Sequence, residues 1–112
     1  MKLTSKENAK NKEYIYLIRI GEPADRLFKI GTTNDMHRRM QEHRRAYKSD
    51  ITVLGTIAVT SKYTTLRVEE NMISEWKTRE GWVYKQKDRF IIPEDVQSVK
   101  IKVRKEYEFS LI

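Results

Sequence analysis

The sequence predicts an α+β fold: a small three-stranded antiparallel sheet flanked by helices, with the core order β-β-α-β-α and then two short extended pieces and a last helix. Three observations predict it. Two runs rich in β-branched and aromatic residues, YIYLIRI (residues 14–20) and LFKIG (27–31), are separated by only six residues, which favours an antiparallel hairpin. After Gly31 the apolar spacing changes from strand-like to helical. A third run, ITVLGTIAVT (51–60), alternates again.

The loop GEPADR carries Gly21 and Pro23, both turn residues. Gly31 is expected to close the second strand. Asn34 and Asp35 then offer helix N-caps. From there Met36, Met40, His43 and Tyr47 recur at steps of four, three and four, one stripe of a helix. Arg44, Arg45 and Lys48 lie largely off that stripe, and Arg39 borders it.

In the third strand Ile51, Val53, Gly55, Ile57 and Val59 are expected on one face, against Thr52, Leu54, Thr56 and Ala58. Ser61, Thr64 or Thr65 can start a second helix that runs to about Lys77. Leu66, Glu69, Ile73 and Trp76 share one side of it. Gly81 ends that region, and WVYK with RFII predicts short extended pieces around a turn. Pro93, Glu94 and Asp95 suit a helix start, since Pro fits a first turn and acids fit its positive end. The final helix is expected to reach Tyr107 or Glu108.

With 112 residues, 38% apolar and 35% charged, the chain fits one domain with a small core and a highly charged surface. Residues 1–12, lysine-rich and polar, are read as a mobile basic arm, and residues 13–112 as the single domain. There is no cysteine, which excludes disulfides, thiolate metal ligands and a thiol nucleophile, and fits a reducing cytoplasm. No apolar run approaches the roughly 20 residues of a membrane span. The basic arm has the charge of a signal peptide's first part but no apolar region after it.

The net charge is +7, and most of the excess lies early: residues 1–50 hold 12 cations against 7 carboxylates, and residues 51–112 hold 11 against 9. A basic excess favours polyanions, nucleic acid first among them, with a soluble basic surface as the plain alternative.

Two features carry chemistry. Arg39 and His43 are four residues apart on a helix, so a guanidinium that matches phosphate oxygens and an imidazole that moves protons can meet one ligand. A solvated basic face is the competing reading. Glu69 falls on an apolar stripe and needs a partner there. A hard divalent cation such as Mg²⁺ is one, an arginine of the first helix another. Glu70 shares the candidacy. Tyr16 and Lys29, on neighbouring strands, could hold or deprotonate a water.

Taken together, residues 14–76 resemble the GIY-YIG nuclease superfamily. Tyr14-Ile15-Tyr16 stands in the GIY place and Lys29-Ile30-Gly31 in the YIG place. Arg39 follows Lys29 by ten residues, His43 comes four later, and LRVEENMISEW brings Glu69 on the second helix. The forms KIGTT and EGW are most similar to a compact, often phage-encoded branch commonly described as DNA-binding. In that branch the glutamate is followed by an apolar residue three later and an aromatic seven later, here Met72 and Trp76. The chain departs from the pattern at Tyr14 (for Gly), Lys29 (for Tyr) and Ile73 (for a frequent His). It also has no Asn after Asn71.

The resemblance implies a DNA endonuclease that uses one Mg²⁺ or Mn²⁺. It assigns Tyr16, Lys29 and His43 to the attacking water, Arg39 to the phosphate, and Glu69 to the metal. Arg38, Arg44, Arg45 and Lys48 become contacts to DNA phosphates. It also places the protein in the cytoplasm, that of a host cell if phage-encoded, and leaves a homodimer open. Two alternatives stand beside it: a DNA-binding or regulatory module with little or no turnover, and a protein-interaction module.

Overall fold

The structure is a computed structural model that describes residues 13–59 and 62–112. The basic arm expected over residues 1–12, and Ser61 as a helix start, lie outside the described residues. The chain runs β1 (Glu13–Ile20), a short 3-10 turn (Pro23–Asp25), β2 (Leu27–Thr33), α1 (Met36–Tyr47), β3 (Ile51–Val59) and α2 (Lys62–Lys77). It continues through β4 (Val83–Lys85), β5 (Arg89–Ile91), α3 (Val96–Tyr107) and β6 (Ser110–Leu111).

The expected core order and hairpin are present, but the sheet is larger than three strands. Six strands, all antiparallel to their neighbours, lie in the order β4-β5-β2-β1-β3-β6. The additional strands are two or three residues long and extend a central β2-β1-β3 unit on both sides. Such short edges carry almost no periodic signal of their own. They are strands because β2 and β3 offer them unpaired backbone groups.

β1 sits in the middle and is apolar on both sides. Ile15 and Leu17 face a core closed by Met72 and Trp76 of α2 and Val99 and Val103 of α3. Tyr16, Ile18 and Ile20 face the opposite way, toward Met40, Met36 and Tyr47 of α1. Three layers result, and the two faces of one strand serve two different cores.

Four sequence expectations change. β2 does not end at Gly31 but continues to Thr33. In β3 the alternation breaks: Leu17 pairs with Gly55 but Ile18 with Val53, so a bulge falls at Leu54. Ile51 and Val53 therefore face α1, whereas Leu54 and Ile57 face α2 and α3. On α2 the buried stripe is Thr65, Met72 and Trp76, and Leu66 is exposed, one position out of phase with the expected stripe. α3 is capped by Asp95, whose carboxylate accepts from the Ser98 N–H at 2.9 Å, so Pro93 precedes the cap rather than filling the first turn.

The passage from β2 to α1 takes two residues. Thr33 Oγ1 accepts from the Asp35 N–H at 3.0 Å, and the Asp35 carboxylate caps the Arg38 N–H at 3.1 Å. This tight junction returns α1 across the face of the sheet on which Lys29 lies.

Candidate functional site

Tyr16 is the centre of the site. It is fully buried on β1 and pairs across the sheet with Gly31 of β2. A Cβ at position 31 would stand 2.1 Å from the Tyr16 hydroxyl oxygen. Gly31 thus clears a path for the phenol over the neighbouring strand. It does not close the strand, as its place after an apolar run implied, since β2 continues to Thr33.

The phenol reaches His43 of α1, with Oη 2.7 Å from Nε2. His43 is buried and stacks on Tyr47, ring centroids 5.6 Å apart. Burial pushes the Tyr16 phenol up to about 12, although the Arg39 guanidinium beside it works the other way. Burial also pulls the His43 imidazole down to about 4, and the positive charges of Arg39 and Lys29 add to the effect. Both groups are uncharged at neutral pH. With the imidazole proton on Nδ1, the phenol donates to Nε2, and a proton can pass from Tyr16 to His43.

Lys29 is buried on the same face, opposite Ile18. Its ammonium donates to the carbonyl of Lys87, in the turn between β4 and β5. Lys87 and Asp88 both adopt left-handed backbone, φ 60° and 56°, a conformation few residues other than glycine favour. The turn is fastened to β2, since the Ile30 N–H donates to the Asp88 carbonyl at 3.3 Å. Tyr84 Oη donates to the Asp88 carboxylate at 3.1 Å. Burial lowers the Lys29 pKa, and the Asp88 and Glu69 carboxylates oppose that shift while Arg39 and Arg89 reinforce it.

Arg39 and Glu69 complete the group. Arg39, half-buried, forms an ion pair with Glu42 at 3.7 Å. Its Nε is buried and has no hydrogen-bond partner among the described residues. Glu69 of α2 is half-buried, and its carboxyl pKa is raised by burial first and by the Asp88 carboxylate second, with Lys29 opposing. No cluster of three or more His, Asp or Glu side chains that could hold a metal occurs among the described residues. Any cation here therefore rests on few protein ligands.

The structure brings Lys29, Arg39 and His43 to a cleft of about 460 Å³, with Lys87 and Asp88 on its other wall. Tyr16 lies behind His43, and the charge of Glu69 acts on both Tyr16 and Lys29. The four expected phosphate contacts are not gathered there. Arg38 stays at the start of α1, paired with Asp35 at 3.8 Å, while Arg44 and Lys48 border a shallow surface pocket with Glu22, Asp25 and Asp50. Arg45 is exposed. A larger groove of about 780 Å³ lies between Arg79, Trp82 and α3, but Arg79 pairs with Glu106 and Lys102 with Glu94.

Sequence reasoning missed Lys87 and Asp88. Their signal is the polar KQKD between two apolar fragments, which marks a turn but not what the turn meets. Its role depends on β5 pairing with β2, a contact about 60 residues apart in the chain that no local pattern announces.

No helix among the described residues is long and apolar enough to cross a membrane. The model of one family, the T5orf172 domain, matches residues 13–107, which takes in the hairpin, all three helices and the whole site. Comparison with curated proteins and with solved structures finds no match. The family match spans most of the chain, and the protein belongs to the T5orf172 family, a GIY-YIG-related domain.

Proposed function

We propose that the protein is a metal-dependent DNA endonuclease that hydrolyses phosphodiester bonds. The observation that carries this reading is the Arg39 guanidinium, 40% exposed on the cleft that Lys29 and His43 also line, with the Tyr16–His43 pair beside it. Among the described residues its ion pair is with the exposed Glu42 carboxylate, at 3.7 Å. A phosphodiester oxygen takes the place of that carboxylate, and the guanidinium fork then stabilises the charge that grows on phosphorus-bound oxygens.

The attacking water gives its proton to the Tyr16 oxygen as the phenol passes its own to His43 Nε2. Alone, His43 is a weak base, but part of its depression comes from the cations Arg39 and Lys29. A phosphate seated against them offsets their charge and raises the imidazole toward a useful range. Lys29, fixed by the Lys87 carbonyl, holds the water or the phosphate beside Tyr16. Arg38, Arg44, Arg45 and Lys48 bind flanking phosphates, which adds affinity without sequence choice.

Glu69 fits a hard divalent cation. Its carboxylate is half-buried, disfavoured by Asp88, and has no ion-pair partner among the described residues, so a cation restores its charged form. A site with one or two carboxylates that leaves the remaining positions to water and substrate phosphate suits Mg²⁺. When bound there, Mg²⁺ or Mn²⁺ would offset negative charge on the leaving oxygen.

The second reading is a DNA-binding or regulatory module without turnover. It is favoured by the Lys29 ammonium, already engaged by Lys87 and balanced by Asp88. Supercoiled plasmid incubated with the protein and Mg²⁺ or Mn²⁺ separates the two. The nuclease reading expects nicking that disappears with chelator and with Glu69→Ala, while Glu69→Ala still binds DNA. Binding without cleavage under every divalent cation tried contradicts it and establishes the second.

A further inference from the structure

The register of the sheet places three basic residues directly opposite one another on successive strands. Lys29 of β2 pairs with Arg89 of β5, and Arg89 pairs with Lys85 of β4. Residues directly opposite in antiparallel strands point to the same face. That face is the one α1 covers, since Lys29 also pairs with Ile18, whose side chain packs with Met40. The Arg89 guanidinium lies 5.4 Å from the Tyr47 ring centroid of α1, which fixes its direction.

Exposure rises along this row. Lys29 is 6% exposed in the floor of the cleft, Arg89 is half-buried, and Lys85 is exposed on the edge strand beside Val83, itself 50% exposed. Two strand spacings separate the ends, about 10 Å, comparable to the rise of roughly three nucleotides along one strand at 3.4 Å each.

Like charges in direct cross-strand register destabilise a sheet. Here two such pairs are consecutive. The carboxylates that act on Lys29, Asp88 and Glu69, sit at the cleft end of the row. The Arg89 Nε donates to the Gln86 carbonyl at 2.9 Å, a neutral acceptor.

We propose that Lys29, Arg89 and Lys85 form a cationic track for the phosphodiester backbone of one DNA strand, leading from the cleft across β5 to the open edge of the sheet at β4. The track rests on the nuclease reading of the cleft and extends it. DNA crosses the β4–β5 hairpin as well as α1, so the hairpin that holds Lys29 in place also grips the substrate. The contacts are to phosphate and carry no sequence preference.

Lys85 tests the track, because it is exposed, at an edge, and outside the reacting groups. Binding of a short fluorescent duplex is followed by anisotropy across a salt series in chelator, where no cleavage occurs. Lys85→Gln is expected to weaken binding severalfold at low salt and to reduce the slope of log affinity against log salt by about one. Lys105→Gln on α3, on the far face, is expected to leave both unchanged, and the unfolding transition of each variant should match the wild type. A Lys85→Gln protein with wild-type affinity and slope overturns the track and leaves the nuclease reading standing. Wild-type protein that binds no duplex at low salt overturns both.

Discussion

Tyr16 and Gly31 show how narrowly the site depends on single residues. The phenol reaches His43 only because the residue opposite it has no side chain; even a methyl group would overlap the hydroxyl, at 2.1 Å. Gly31→Ala is expected to destabilise the fold by roughly 1–3 kcal/mol, the range for overpacking a rigid core, and to break the Tyr16–His43 hydrogen bond. Urea unfolding measures the loss; a change below about 0.5 kcal/mol, the usual surface value, would contradict the steric account. The sequence made the pair Arg39 and His43 visible, because four residues on a helix is a fixed geometry. It gave Gly31 the wrong reason. A glycine after an apolar run reads as a strand end, and only the register of β1 against β2 shows that it serves Tyr16.

At the scale of elements, β1, β2, β3 and α1 were legible because each has enough residues to show a period. What escaped was set by pairing rather than by pattern. The bulge at Leu54 moves Ile57 to the other face of the sheet. α2 presents Thr65 rather than Leu66 to the core, since the helix needs its Met72–Trp76 side inward to meet Trp82 and Phe90. β6, two residues from the end of the chain, is a strand only through Gly55 and Thr56 of β3. The last helix was anticipated, though its true cap is Asp95. Asp95→Ala should lower the thermal midpoint by a few degrees, since it removes the N-cap acceptor of α3. An unchanged midpoint would mean that core packing through Val99 and Val103 alone fixes the start of α3.

At the scale of the whole molecule, the cleft lies where two parts of the chain converge, the α1 face of the sheet and the β4–β5 turn, and the charge of Glu69 from α2 acts on Tyr16 and Lys29. The net charge of +7 would favour polyanions, but the proposed chemistry belongs to a few groups whose burial moves their pKa values in different directions. Tyr16 and Glu69 go up, His43 and Lys29 go down, and all four shift toward the neutral form. On the proposed reading, a bound phosphate with its cation would return these groups toward their charged forms.

The most direct test of that account is the single-turnover nicking rate of Arg39→Ala at saturating protein, measured alongside its DNA affinity. The account predicts a rate about 10²–10³-fold below wild type, as for loss of one preorganised transition-state donor, with affinity changed only a few-fold. A rate at saturation equal to that of the wild type, with only affinity reduced, would contradict it and make Arg39 one more backbone contact.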